Sequence, residues 1–293
     1  MKTVIGLVLA VGLLLAAAPS ARAADGEIAV VAAENFYGDI AHQIGGDRIT
    51  VASIMSNPDQ DPHLFETTPG VVKQIAQAQI VIFNGADYDA WMDKLLNVTP
   101  KSARTAIVVA NLIGKKAGDN PHLWYDPGTM PATAKALAEA FIKADPSHKD
   151  DYAARLKTFL ASLKPINDKI AAIRGKFAGD SITASEPVFG YMAAALGLTM
   201  RNERFQLSIM NDTEPSARDI SAFERDLRMH KVRVMFYNKQ ASSKIVQHLV
   251  ELARAAKIPV VGVTETAPPN LSYQDWMLTQ LDDTEKALAG KPS

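Results

Sequence analysis

The chain contains no cysteine among its 293 residues. That excludes disulfides, thiolate metal sites and the lipid-modified cysteine that tethers exported lipoproteins. Charge of one sign is also missing: 31 basic and 32 acidic residues leave a net charge of -1, so nothing draws the chain to nucleic acid or an anionic membrane. No apolar run spans a bilayer, because the one from Val4 to Ala18 falls short of the roughly 20 residues a spanning helix needs. Several enzyme signatures are absent as well. There is no His-Glu-x-x-His, no Gly-x-Ser-x-Gly, no phosphate-binding glycine loop and no low-complexity tract.

The short apolar run has its own meaning. Met1-Lys2-Thr3 precedes it and Pro19-Ser20-Ala21-Arg22-Ala23 follows it, the pattern of a secretory signal cleaved after Ala23. With no thiol to lipidate, the exported chain is expected in a bacterial periplasm, not lipid-anchored. Hydrophobic content of 47% and charged content of 22% are ordinary for a globular protein. The length exceeds a usual single core and predicts two domains.

In chain order, strands are predicted at 27–33, 49–55, 79–83 and 105–110, and helices at 35–44, 88–96 and 131–144, with Thr67-Thr68-Pro69 opening one more. This alternation predicts an α/β fold of βαβ units with parallel sheets. The character changes at 149–177, where Tyr152, Leu156, Phe159, Leu163, Ile166, Ile170 and Ile173 recur at helical spacing. One long connecting helix, kinked at Pro165, is expected there. After Gly179 strands return at 181–185, 232–237 and 259–263, with helices at 188–196, 216–229, 243–256 and 272–289. The expected organisation is a signal peptide at 1–23, an N-terminal βα lobe at 24–146, a backbone helix at 147–178 and a C-terminal βα lobe at 179–293.

In open parallel sheets, ligands gather beyond the carboxyl ends of the strands. Two first-half loops there share a context: Asp61-Pro62-His63-Leu64-Phe65 and Asn120-Pro121-His122-Leu123-Trp124. In the second half Glu186 and Glu265 directly follow predicted strands. Two imidazoles and two carboxylates make a four-point cage for a divalent cation. Bland roles exist for each: a solvated loop for the histidines, a helix cap for Glu186, an ordinary loop acid for Glu265. The repeated Pro-His-Leu-aromatic context and the shared rim weigh towards ligands. Asp61 and Asp126 either orient the rings or form turns. Asn84 and Asn238 also follow strands but carry no charge. His42, His148, His230 and His248 read as solvated, and Trp91, Trp124 and Trp276 as packing. A cage with all four positions filled by protein leaves none for a reacting water and favours binding over catalysis.

Taken together, Asp61-Pro62-His63 with Glu66, Pro121-His122-Leu123-Trp124, the long helix, Ser185-Glu186 running into Phe189-Gly190-Tyr191, Asn211-Asp212-Thr213-Glu214-Pro215 and Val263-Thr264-Glu265 resemble the metal-specific solute-binding proteins of bacterial ABC importers, of the zinc-uptake component A and manganese-binding type. The resemblance implies two lobes joined by a rigid helix, with metal in the cleft held by His63, His122, Glu186 and Glu265. It also implies a membrane permease as partner and a monomeric state. Zinc-type members usually place histidine where Glu186 stands, and manganese- and iron-type members glutamate. The fourth position is commonly aspartate, so Glu265 departs by a methylene. The loop before His122, long and histidine-rich in many zinc-type members, is here only 114–120 without histidine. Carboxylate oxygens suit Mn²⁺ or Fe²⁺, whereas Zn²⁺ has the higher intrinsic affinity. Mn²⁺ is therefore the expected cargo, with Zn²⁺ and Fe²⁺ as alternatives. The rival readings are a metal-dependent periplasmic hydrolase, which needs an open coordination position and a separate base, and a metal-binding adhesin.

Overall fold

The predicted alternation of strand and helix is realised twice. The computed structural model describes residues 27–58, 62, 65–241 and 243–290; the expected signal peptide, Asp61 and His63 lie outside the described residues. The first half runs β1 (Ile28–Glu34), α1 (Asn35–Gly45), β2 (Ile49–Met55), α2 (Pro69–Gln77), β3 (Ile80–Phe83), α3 (Ala90–Val98), β4 (Thr105–Val108), α4 (Val109–Leu112) and α5 (Thr129–Ala144). Two helices follow, α6 (Lys149–Ser162) and α7 (Lys164–Phe177). The second half runs β5 (Ser181–Ala184), α8 (Gly190–Ala195), β6 (Thr199–Arg201), α9 (Glu203–Met210), α10 (Ala217–Arg228), β7 (Met235–Asn238), α11 (Lys244–Ala255), β8 (Val260–Val263) and α12 (Tyr273–Leu288).

The two parallel sheets have the same order, β2-β1-β3-β4 and β6-β5-β7-β8. In each, the chain reverses its direction of travel between the two central strands, at β1/β3 and β5/β7, which is where α/β sheets open a crevice. Local sequence explains the elements. β3 is buried at every position, as a central strand covered on both faces must be. Hydroxyls of Thr68, Ser216, Ser243 and Ser272 each accept an N–H from the first turn of the helix they precede.

Three details differ from the sequence reading. The single long helix is two helices meeting at Leu163, with Pro165 in the first turn of α7, where its missing N–H has no partner to lose. The strand β6 and helix α9 were not predicted: β6 is only 3 residues long, and α9 follows a left-handed Asn202 at φ 61°. The helix expected at 188–196 begins as a tight 3₁₀ turn over Pro187–Phe189 and continues as α8.

One hydrophobic core runs through both halves. Its seam is aromatic: Phe36 lies 4.9 Å from Trp124 and 5.8 Å from Trp276, and Tyr125 lies 5.7 Å from Trp276 and 5.4 Å from Phe189 by ring centroid. Trp124 and Trp276 are thus packing residues. Hydrogen bonds fasten the same seam. Asn35 donates to the Ala267 carbonyl at 2.8 Å and accepts from the Ala267 N–H at 3.0 Å, and the Tyr273 hydroxyl donates to the Trp124 carbonyl at 2.9 Å.

At the first switch point lies a buried acid pair. Asp89 accepts N–H bonds from Asn84 at 2.5 Å and Gly85 at 2.8 Å, closing a turn in which Gly85, Ala86 and Asp87 all have positive φ. A side chain at Gly85 would meet Val108 Cγ1 at 2.6 Å, so only glycine fits. Neither Glu34 carboxyl oxygen meets a donor among the described residues. Burial, then the neighbouring Asp89 charge, push the Glu34 carboxyl well above the usual carboxylate range, and burial raises Asp89 to about 6. Asp89, held by two N–H groups, keeps the charge more readily, so the shared proton sits on Glu34.

An acid whose folded pKa is raised contributes stability fully below its unfolded value, near 4.5 for Glu34, and loses it as pH rises. Glu34→Gln, which keeps a donor towards Asp89 without needing a proton, is expected to raise the melting temperature of the metal-free protein by several degrees at pH 8. The gain should vanish towards pH 4. A pH-independent difference in thermal melts sinks the shared-proton assignment.

Candidate metal centre

The site is assembled at the carboxyl ends of the strands. β5 leads into Ser185 and Glu186, β7 ends in Asn238, and β8 leads through Thr264 to Glu265. The first half contributes His122 from the turn before Leu123–Tyr125. His122 and Glu265 are fully buried and Glu186 is 4% exposed. His122 Nε2 lies 3.4 Å from Glu265 Oε2. Glu186 and Glu265 are joined through one amide, since Asn238 Nδ2 donates to Glu186 Oε2 at 2.6 Å and to Glu265 Oε1 at 2.5 Å.

Neutral amides set the orientation of these groups. Asn120 Oδ1 lies 2.6 Å from His122 Nδ1 and accepts the His122 N–H at 3.1 Å, while Asn120 Nδ2 donates to the Pro187 carbonyl at 2.8 Å. The Pro187 contact fixes the amide with its oxygen towards the ring, so Nδ1 carries the imidazole proton and Nε2 presents a lone pair. Asn84 supports the same loop: it accepts from the Tyr37 hydroxyl at 2.7 Å and donates to the Pro121 carbonyl at 2.8 Å. Gln240 Oε1 accepts the N–H groups of Glu265 at 2.5 Å and Thr266 at 3.3 Å. The Tyr125 hydroxyl donates to the Thr264 carbonyl at 3.1 Å. Trp124 and Tyr88 pack edge-on to the His122 ring at 5.3 Å and 6.2 Å. Burial, with the Glu265 charge next, pushes the Tyr88 phenol well above its usual range.

His122 Nε2 and Glu265 Oε2 are both potential donors to a metal and lie side by side in a buried place. Two donors about 2.1 Å from one ion and 3.4 Å apart subtend about 108° at it, near the tetrahedral angle. The structure therefore brings His122, Glu186 and Glu265 to one rim. Among the described residues, no three His, Cys, Asp or Glu side chains form a complete metal cluster. The fourth predicted ligand, His63, lies outside the described residues.

Other predicted positions resolve plainly. Asp126 accepts the Gly128 N–H at 2.8 Å and shapes the turn before α5; orienting His122 falls to Asn120. Glu66 is exposed ahead of α2, and His42 and His230 are exposed. His148 pairs with Asp145 at 2.6 Å and His248 with Glu224 at 3.0 Å. Sequence reading missed Asn120, Asn238 and Gln240 as organisers. The available signal was that Asn84 and Asn238 stand at the carboxyl ends of matched strands, β3 and β7, at the two switch points.

Comparison with known proteins points the same way. The profile of the family described as ZnuA, zinc-uptake complex component A, periplasmic, matches residues 30–287. The chain is similar to the metal ABC transporter substrate-binding lipoprotein FimA of Streptococcus parasanguinis, 27% identical over 296 residues covering 95% of this chain and 94% of that protein. It is also similar to the manganese ABC transporter substrate-binding lipoprotein PsaA of Streptococcus anginosus, 26% identical over 281 residues and 90% of each. Among solved structures, the periplasmic zinc binding protein TroA from Treponema pallidum shares the fold with a TM-score of 0.75 at 19% identity, over 90% of this chain and 99% of that one.

The relatives also correct one expectation. The chain was expected in the periplasm and not lipid-anchored, yet FimA and PsaA are named lipoproteins, a class held at the membrane surface by lipid. Lack of cysteine removes one attachment chemistry; the step from there to an unanchored protein does not hold.

The Asn120 contact has a direct readout. At pH 8 the metal-free protein should show His122 in the Nδ1–H form by long-range ¹H–¹⁵N NMR, and Asn120→Ala should mix in the Nε2–H form. A wild-type ring protonated only at Nε2 contradicts the assignment.

Proposed function

The chain belongs to the zinc-uptake complex component A family, and on that premise we propose that it captures one divalent transition-metal ion between its halves and delivers it to the membrane permease of an ABC importer. The ligands are His122, Glu186 and Glu265 with His63 as the fourth. The lobes correspond to 24–146 and 179–293, joined by 147–178, and the receptor acts as a monomer. The observation that carries the reading is the 3.4 Å approach of His122 Nε2 to Glu265 Oε2, both side chains fully buried. Amides hold both side chains there: Asn120 at the His122 ring and Asn238 at the Glu265 carboxylate.

Four protein donors complete a tetrahedral shell and leave no position for a reacting water, so the site binds and does not hydrolyse. Manganese is what PsaA is named for, and the His/carboxylate donors of this chain accept manganese, iron or zinc. Each ligand must be deprotonated to bind.

Protein stripped with a chelator is expected to take up one equivalent of transition metal, measured by mass spectrometry, and to melt higher. At metal a thousandfold above Kd the gain is about 4 kcal/mol. His122→Ala and Glu186→Ala should each weaken binding at least tenfold in chelator competition, and affinity should fall as acid protonates the imidazoles. Unchanged affinity in both variants removes the proposed site.

A further inference from the structure

We propose that Tyr191 is a latch between the two halves, a positioning residue that acts on the site through Asn120 and slows release of the captured ion. The inference rests on the receptor reading and concerns how firmly the receptor keeps its cargo.

The loop over 114–120 is tied to the first half. The Lys115 N–H donates to the Ala110 carbonyl at 2.8 Å, and the Gly118 N–H donates to Asp87 Oδ2 at 3.2 Å. Tyr191 stands in the first turn of α8, in the second half, and is half-buried. It meets that loop twice. Its hydroxyl donates to the Asn120 carbonyl at 2.8 Å, and Lys115 Nζ lies 4.7 Å from its ring centroid, within cation–π range. Two contacts of different kinds thus hold one side chain of the second half against the first.

Asn120 is where these contacts reach the site. Its amide faces His122 Nδ1 at 2.6 Å and holds the Pro187 carbonyl at 2.8 Å, and Pro187 follows Glu186 in the chain. The fit is close, since a side chain at Gly190 would meet Asn120 Nδ2 at 2.9 Å. Asn120 therefore joins the halves through its backbone carbonyl and its side chain together, next to two of the proposed ligands. A motion that draws α8 away from the 114–120 loop has to break the Tyr191 bond. Water then serves both partners, so the bond is worth the net value of an ordinary hydrogen bond, about a fivefold factor in an equilibrium. In a receptor that parts its halves to let the ion go, that factor falls on the release rate. Capture starts from the parted form, where the bond is already absent, and stays nearly unchanged.

The test loads the chelator-stripped full chain, as wild type, Tyr191→Phe and Lys115→Met, with one equivalent of Zn²⁺, or of Mn²⁺ if zinc is not taken up. Release into a chromogenic chelator is followed by stopped flow, at chelator concentrations where the rate no longer depends on chelator. Tyr191→Phe keeps the ring and loses the hydroxyl; it is expected to release the ion about fivefold faster, with an association rate close to that of wild type. Lys115→Met, at a half-buried loop position, should shift release in the same direction. Release unchanged in Tyr191→Phe, or in Lys115→Met should Tyr191→Phe fail to fold, overturns the latch and leaves the receptor reading intact. An association rate that falls as far as release rises marks a distorted site and overturns the latch as well. Wild type that takes up neither metal overturns the receptor reading and this inference together.

Discussion

Two carboxylates buried within reach of one amide are the constraint to which the second half of this molecule answers. Glu186 and Glu265 have almost no exposure, and like charges in such a place repel by several kcal/mol even at an effective dielectric of about 20. Desolvation adds to that cost. Asn238 offsets part of it with two N–H bonds, and the His122 ring faces the remaining oxygen of Glu265. This is the place where the proposed cation would bind. It is created by strand order, because no local stretch of chain brings residues 186, 238 and 265 together.

The first half meets the same problem in the same topological place and answers it differently. Glu34 ends β1 as Glu186 follows β5, and Asn84 follows β3 as Asn238 ends β7. In the first half, however, the second acid is Asp89, already served by two backbone N–H groups. One proton on Glu34 then leaves the pair a single charge, on Asp89. Asn84 is left to hold the Pro121 carbonyl and thereby the loop that carries His122. One half thus stores a proton and positions a proposed ligand, while the other gathers the acids that face it. A duplicated fold gives one candidate site and one support for it, and the difference lies in a few side chains at matched strand ends.

Much of this was legible from sequence and some was not, for physical reasons. Apolar runs such as Ile80–Phe83 are visible because a strand covered on both faces has no alternative composition. Once strand ends are known, Glu186 and Glu265 stand out as acids in a place where ligands collect. The amides did not stand out. Asn120, Asn238 and Gln240 act through hydrogen bonds whose partners are set by strand order and loop geometry, and an uncharged residue gives no local hint of such partners. The strand β6 escaped because 3 residues with partial exposure carry no period. The break between α6 and α7 fell at Leu163 and not at Pro165, because proline disrupts the turn preceding it more than its own position.

The ties between the halves reach the residues that flank the proposed ligands. Asn120 holds the Pro187 carbonyl beside Glu186, Tyr125 holds the Thr264 carbonyl beside Glu265, and Asn35 brackets Ala267 with two bonds. Beneath them the aromatic seam of Phe36, Trp124, Tyr125, Phe189 and Trp276 resists shear, since close-packed rings exchange one arrangement for another only in discrete steps. A movement that parts the halves must therefore break hydrogen bonds within two residues of Glu186 and Glu265 before it disturbs either sheet. Asn120 also holds the His122 ring, so a single amide carries both a contact between the halves and the aim of a proposed ligand.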